Sequence, residues 1–190
     1  EAAVLDAIRD CWSSLWTPRA IVYRRRNLVP DAAAALAVVI QRLVPADVSG
    51  VLFTANPLTG HRGQMVLDAT FGLGEALVSG QVEPDHVVAD AASGRVLSRT
   101  VGAKAVATVV SPTGGVTTET RQASGESAVT DSQVAALVAL GRRVQAEYAA
   151  PQDIEWAIHD GTIHLLQTRA ITSLYPVPDG APPDSVWLSF

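Results

Sequence analysis

Polar side chains recur at alternate positions near the end of the chain. Asp153 and Glu155 lie in one apolar run, and Gln167 and Arg169 lie in a second run that follows an Asp-Gly pair. Two alternating runs joined in this way are typical of a β-hairpin. Carboxylate and amide oxygens are hard ligands that suit Mg²⁺, and an arginine fork suits phosphate oxygens. The spacing therefore indicates a hairpin able to hold a nucleotide triphosphate through its metal ion.

The turn decides whether these residues share one face. A two-residue Asp160-Gly161 loop would pair residue 155 with residue 166 and point Glu155 and Gln167 to opposite faces. A three-residue loop that starts at His159, with Gly161 in the left-handed region, would pair residue 158 with residue 162. In that register one face carries Asp153, Glu155, Gln167 and Arg169, and the other carries Ile154, Trp156 and Ile158. A solvent-facing strand pair with ordinary surface charges fits the same spacing, so both alternatives stay open.

Patterns elsewhere predict the elements that position this hairpin. Apolar and alternating runs predict strands at residues 34–44, 51–54 and 65–69, and a meander over residues 86–110. Residues 111–129 lack periodicity and are expected to form a surface loop. A long helix should begin near Thr130, where Thr130 and Gln133 match a capping box. The fold class expected is α+β, with a mostly antiparallel sheet and flanking helices.

Helical spacing also opens the chain. Apolar residues recur from Val4 to Leu15, and Thr17-Pro18 predicts the cap and first residue of a second helix. Cys11 is the single cysteine, which excludes an internal disulfide, and its amphipathic setting predicts a buried, reduced thiol. The three arginines at 24–26 are expected at a solvated helix end.

Composition excludes several classes of protein. The formal net charge of −5 gives no electrostatic reason to expect a nucleic-acid partner. No apolar run has the length of a membrane span, and no signal-peptide pattern opens the chain. A cytoplasmic protein without a membrane partner is therefore expected. The uncapped helical start indicates a piece of a longer polypeptide.

Several segments resemble a known family. QDIEWAI and LLQTRAIT, preceded by VVIQRLV, SGVLFTANPLTG and FGLGEALVSG, are similar to the ATP-binding domain of enzymes such as phosphoenolpyruvate synthase, pyruvate phosphate dikinase and rifampin phosphotransferase. The segment TRAITSLYPVP looks most like the rifampin branch, although Ala170 stands where the family usually has proline. The resemblance implies an ATP-grasp-like fold. Residues 1–173 would form its C-terminal part, without the N-terminal lobe, and residues 174–190 would form a Pro-rich linker.

The resemblance also implies a site for ATP and Mg²⁺. Glu155 and Gln167 are expected to hold the metal ion, and the nucleotide contacts are expected from Gln41, Glu155, Gln167 and Arg169, with Asp153 and Glu75 as further candidates. An alternative role for Gln41 is an amide that bonds to backbone at a sheet edge. The Gly-rich turn before Glu75 could cradle phosphate on free amides, but it is neither a Walker motif nor GxGxxG.

The activity implied by the resemblance is a relay. The β-phosphoryl group of ATP would pass to a histidine on a separate swivelling domain, with AMP and phosphate as products, and then to an acceptor. The acceptor would be rifampin in one branch and pyruvate in phosphoenolpyruvate synthase. The four histidines, His61, His86, His159 and His164, do not match the phosphohistidine motif, so no catalytic residue is expected in this chain. A non-catalytic nucleotide-binding fragment is the alternative from another class.

Overall fold

The described part of the chain contains eight strands and four α-helices. The computed structural model describes residues 2–122 and 125–175, in two compact units that divide between Leu43 and Val44. The helices are α1 (Ala2–Ser13), α2 (Pro18–Arg26), α3 (Glu75–Val78) and α4 (Asp131–Tyr148). The strands are β1 (Val48–Phe53), β2 (Gln64–Phe71), β3 (Asp85–Asp90), β4 (Val96–Thr100), β5 (Val106–Val110), β6 (Val116–Thr120), β7 (Gln152–His159) and β8 (Thr162–Ala170). Within the described ranges, no helix combines the length and apolar character needed to cross a membrane.

Six of the strands form one antiparallel sheet in the order β4-β3-β2-β1-β7-β8, and β5 pairs with β6 in a separate ribbon. The expected α+β class with a mostly antiparallel sheet and flanking helices is confirmed. The prediction of an irregular loop over residues 111–129 is wrong in part, because β6 lies within it. Every residue of β6 is exposed, so its side chains do not alternate between a buried and an exposed face. The sequence of β6 therefore lacks the apolar–polar alternation that predicts a strand.

Helix α4 covers one face of the large sheet. The predicted capping box is present: the side chain of Thr130 accepts from the backbone N–H of Gln133, and the Gln133 side chain accepts from the Thr130 N–H at 2.8 Å. The buried core joins this helix to the central strands and contains, among others, Val134, Leu137, Val138, Leu52, Leu67, Ile154 and Trp156. The helix therefore fixes which face of the sheet is apolar.

Trp156 is the largest fully buried side chain. Its ring lies over Gly50, its partner across the β1–β7 ladder. A Cβ atom on Gly50 would lie 2.6 Å from Trp156 Cζ2 and 2.1 Å from the backbone oxygen of Asp68. Only glycine therefore allows the indole to close over the central strand.

The N-terminal unit departs from the sequence expectations at three places. Residues 34–44 are not a strand: the apolar run has no pairing partner among the described residues, and Val39 and Ile40 are exposed. Cys11 is exposed rather than buried, because no residue of α1 is buried. Arg24 is buried rather than solvated, and its Nε and Nη2 donate to Asp31 Oδ1 at 3.1 and 3.0 Å.

The second helix of this unit starts as predicted. Thr17 is its N-cap, and the threonine hydroxyl accepts from the backbone N–H of Ala20 at 3.4 Å. Pro18 occupies the first helical turn, where its missing N–H is no loss. The Thr17-Pro18 pair was therefore sufficient to predict where this helix begins.

A buried ion pair ties the sheet to the segments that follow it. Lys104 Nζ donates to the carboxylate of Asp85, and the two side chains are 3% and 0% exposed. The same carboxylate accepts from the N–H of Gly102 at 3.0 Å, from Ser127 Oγ at 3.1 Å and from the N–H of Ala128 at 2.6 Å. One side chain at the start of β3 thus joins the segment before β5 to the segment before α4.

We predict that Asp85→Asn destabilises the 190-residue chain by about 3–5 kcal/mol, because it leaves the Lys104 charge buried without a counter-charge. Urea unfolding followed by circular dichroism would measure the loss. Asp131→Asn is the matched control, since Asp131 pairs with Arg99 but its side chain is 79% exposed. The control should cost less than about 1 kcal/mol. Equal losses in the two variants would contradict the assignment.

Candidate functional site

The hairpin of β7 and β8 closes through a two-residue turn. His159 pairs with Thr162, and Asp160 and Gly161 have φ of 47° and 71°. Two successive left-handed residues form the type I′ turn that Asp-Gly favours. The backbone N–H of Asp160 also donates to Asp47 Oδ2 at 2.8 Å, which holds the turn against the start of β1. The three-residue loop considered from the sequence is therefore wrong, although Gly161 does have a positive φ.

A β-bulge nevertheless gathers the polar residues on one face. The ladder pairs Trp156 with Leu165 and then Glu155 with Gln167, so Leu166 is an extra residue in β8. An extra residue restarts the in-out alternation of the strand. Gln167 and Arg169 therefore lie on the same face as Glu155 and Asp153, the arrangement that a shifted turn had been expected to produce.

Two side-chain contacts fix this register. On the polar face, Arg169 Nε and Nη2 each lie 2.8 Å from Asp153 Oδ2. On the helix-covered face, Thr168 Oγ1 donates to Gln152 Oε1 at 3.0 Å. A regular ladder would turn Arg169 toward the apolar core, where an unpaired guanidinium is costly. The bulge avoids that cost and gives the Asp153 side chain, which is only 10% exposed, a counter-charge.

Glu155 and Gln167 face each other directly across the two strands. Within the described part of the chain, neither side chain takes part in a hydrogen bond or ion pair. Glu155 is half-buried and Gln167 is exposed. Directly opposed side chains start from Cβ atoms about 4.5–5.5 Å apart, close enough for one carboxylate oxygen and one amide oxygen to bind a single cation.

The polar face continues across the sheet. Along one row of the ladder Glu155 is followed by Val51, Asp68 and His86 in successive strands. His86 Nδ1 lies 2.7 Å from Asp68 Oδ1, and both side chains are partly exposed. Sequence reasoning did not find this pair. Each of the two residues has a polar position in the alternation of its own strand. The register that places the two strands side by side, and so brings Asp68 next to His86, is set by long-range packing.

The Gly-rich turn packs against the same face. Ser49, two residues before Val51 in β1, donates through its hydroxyl to the Gly72 carbonyl at 2.6 Å. The N–H groups of Gly72 and Leu73 donate to the carbonyls of Asp47 and Thr108, at 2.9 and 2.7 Å. These two amides are therefore not free to cradle phosphate. Glu75 begins α3 and is exposed.

Gln41 lies in the N-terminal unit. It is exposed, in irregular backbone, and its side chain makes no hydrogen bond or ion pair among the described residues. The predicted residues that the structure brings together are thus Asp153, Glu155, Gln167 and Arg169.

A separate cluster lies at the hairpin turn. Ligand atoms of Asp47, His159 and Asp160 all lie within 4.8 Å of one another. His159 Nδ1 is 3.6 Å from Asp47 Oδ2, and both aspartates are exposed. The cluster accompanies the backbone contact that holds the turn and is distinct from the Glu155–Gln167 pair.

Comparison with known proteins identifies relatives of almost the whole chain. Rifampicin phosphotransferase of Streptomyces sviceus is 47% identical over 183 residues, which cover 95% of this chain and 21% of that protein. Rifampicin phosphotransferase of Bacillus subtilis is 39% identical, over 94% of this chain and 21% of that protein. A probable phosphoenolpyruvate synthase of Methanothermobacter thermautotrophicus is 41% identical, over 90% of this chain and 25% of that protein.

The chain spans between about a fifth and a quarter of the length of these relatives. A family model described as the AMP/ATP-binding domain of pyruvate phosphate dikinase matches residues 1–182, almost the whole chain. By the extent of this match, the chain belongs to the family of pyruvate phosphate dikinase AMP/ATP-binding domains.

Proposed function

We propose that the hairpin face binds Mg-ATP and that the chain is the ATP-binding part of a dikinase-type phosphotransferase whose acceptor is rifampin. The observation that carries this proposal is the opposed Glu155–Gln167 pair beside the Asp153–Arg169 ion pair on one face. The similarity to two rifampicin phosphotransferases supports the choice of acceptor. The acceptor itself would bind on another domain.

The donor set fits magnesium. A carboxylate oxygen and an amide oxygen without protein partners are hard ligands, and Mg²⁺ commonly takes one or two protein ligands with substrate phosphates and water. Glu155 and Gln167 would hold the ion. When bound, Mg²⁺ neutralises charge that develops on the phosphates.

Arg169 is suited to the phosphates themselves. Its side chain is 69% exposed, and only two of its nitrogen atoms contact Asp153. The remaining N–H groups can donate to phosphate oxygens. Asp153 holds the guanidinium in place, so we assign Asp153 a positioning role rather than the nucleotide contact for which the sequence made it a further candidate.

The overall reaction under this proposal is ATP + acceptor-OH + H₂O → AMP + phosphate + phosphorylated acceptor. The bond between the α,β-bridging oxygen and the β-phosphorus breaks, and AMP leaves. A histidine on a swivelling domain carries the β-phosphoryl group to the acceptor, while water takes the γ-phosphoryl group as phosphate. The residues of this chain would contribute positioning and charge neutralisation.

Several finer assignments belong to the same proposal. Gln41 and Glu75 are nucleotide contacts, and the fold is the C-terminal part of an ATP-grasp-like domain over residues 1–173. The segment 174–190 is a Pro-rich linker, of which residues 176–190 lie outside the described residues. The N-terminal lobe and the phosphohistidine domain would be supplied by the rest of the polypeptide, consistent with the much greater length of the relatives.

One other acceptor is favoured by a specific observation. The 41% identity to a probable phosphoenolpyruvate synthase supports pyruvate as the acceptor, with the same nucleotide site. A nucleotide-binding chain without turnover is the alternative from another class.

We predict that Glu155→Gln weakens Mg-ATP binding at least about 10-fold, since one metal-ligand charge is lost. The free energy of unfolding should change by no more than about 0.5 kcal/mol, because Glu155 has no protein partner. Titration calorimetry with and without Mg²⁺, together with urea unfolding, would measure both quantities.

Glu119→Gln is the matched control, because Glu119 is an exposed strand carboxylate in the β5–β6 ribbon. It should bind Mg-ATP as tightly as the wild type. If Glu155→Gln also binds with unchanged affinity, the metal-ligand assignment is wrong.

A double-mutant cycle tests the role of Asp153. If Asp153 acts through Arg169, Asp153→Asn should add little to Arg169→Gln, and Mg-ATP affinity in the double variant should match that of Arg169→Gln within about 2-fold. Additive losses of affinity would instead indicate that Asp153 contacts the metal or nucleotide itself.

The acceptor is tested by phosphorus NMR on the full-length protein with Mg-ATP, offered rifampin or pyruvate. AMP, phosphate and a new phosphomonoester with rifampin alone are expected. Formation of phosphoenolpyruvate, with pyruvate as the only acceptor used, would instead identify the activity as that of a phosphoenolpyruvate synthase. The absence of AMP with either acceptor would favour nucleotide binding without turnover.

A further inference from the structure

A cavity of about 360 Å³ lies beside the C-terminal half of α4. It is bounded by the segment that follows β1, by α4 and by the segment between α4 and β7. Its lining residues are Thr54, Ala55, Arg62, Arg142, Gln145, Ala146, Ala149, Ala150 and Pro151. Because α4 packs on the apolar face of the sheet, the cavity is separate from the polar face that carries Glu155 and Gln167.

The charge of this cavity has one sign. Two of its lining side chains are arginines, and none is a carboxylate. The whole chain has a net charge of −5, so its average composition does not explain why this cavity has two guanidinium groups and no carboxylate. A concave, positively charged site concentrates anions.

Each guanidinium is anchored by one backbone carbonyl. Arg142 Nη1 donates to the carbonyl of Ala92 at 2.9 Å, and Arg62 Nη2 donates to the carbonyl of Tyr175 at 3.0 Å. An arginine has five N–H donors, so most donors of each group are left for a ligand. The anchors reduce the side-chain entropy that ligand binding would otherwise remove.

The side chain of Gln145, which also lines the cavity, carries a polar atom without a partner among the described residues. Gln145 Oε1 is buried and accepts no hydrogen bond within the described part of the chain. A buried acceptor without a donor is unfavourable, and a bound hydroxyl or amino group would satisfy it. The rest of the lining is small and mostly apolar, as in sites for small molecules.

We propose that this cavity binds a small organic anion, a phosphate or carboxylate that also carries a hydroxyl or amino donor. Arg62 and Arg142 bind the anionic group, and Gln145 accepts from the donor. This site is independent of the Mg-ATP site proposed above.

Glycerol 3-phosphate and glycerate are the probes, because each combines an anionic group with hydroxyl donors. Glycerol lacks the charge, and sulfate lacks the donor. In titrations of the 190-residue chain, followed by the ¹⁵N signals of the Arg142 and Gln145 side chains, at least one probe should bind saturably. Glycerol should not bind, and sulfate should bind at least about 10-fold more weakly than that probe.

Arg142→Gln should weaken binding of that probe by at least about 10-fold, since it removes charged hydrogen bonds. Arg143→Gln is the matched control: Arg143 is the exposed next residue of α4 and does not line the cavity. It should leave the affinity unchanged. Gln145→Leu should weaken binding of the organic anion, whereas the affinity for sulfate should stay within about 2-fold of the wild-type value.

Glu155→Gln separates this site from the nucleotide site, because it should leave probe binding unchanged whatever it does to Mg-ATP. Displacement of the probe by Mg-ATP, equal losses in Arg142→Gln and Arg143→Gln, or the absence of saturable binding by both organic anions would overturn the proposal.

Discussion

The extra residue in β8 is the constraint on which the polar face depends. Side chains of a strand alternate strictly, so each residue of the hairpin is assigned to a face by its distance from the turn. The two-residue turn alone would direct Gln167 and Arg169 toward the helix-covered core. Leu166 restarts the alternation, and four polar side chains then share the face opposite the one that α4 covers. The chemistry proposed for this face follows from that single shift in register.

The buried carboxylate of Asp85 has a similar role for the remainder of the C-terminal unit. It receives hydrogen bonds from residues up to 43 positions away along the chain, including the Lys104 ammonium and the N–H of Ala128. A buried pair of this kind is costly to form and more costly to break from one side. Its effect is to fix where irregular segments leave the sheet. The start of α4, and hence the face that α4 covers, is tied to β3 in this way.

Local signals were sufficient for some features and not for others. The capping box at Thr130 involves residues close in sequence and formed as predicted. The Asp-Gly pair left two turn lengths open, and the structure has the two-residue one. The bulge at Leu166 and the Asp68–His86 pair depend on register, which distant packing decides. The apolar run at residues 34–44 matches a strand by composition, but strands also need a partner to pair with. Sequence identified the residues of the candidate site, whereas long-range contacts determined how they come together.

The position of β8 at the border of the large sheet gives the bulge one more consequence. A straight border strand offers free N–H and C=O groups that can recruit a strand from another molecule, which is a common start of aggregation. A bulge twists and interrupts that border, and an exposed arginine beside it opposes the approach of a second basic strand. The feature that assembles the polar face therefore also helps to keep neighbouring molecules apart.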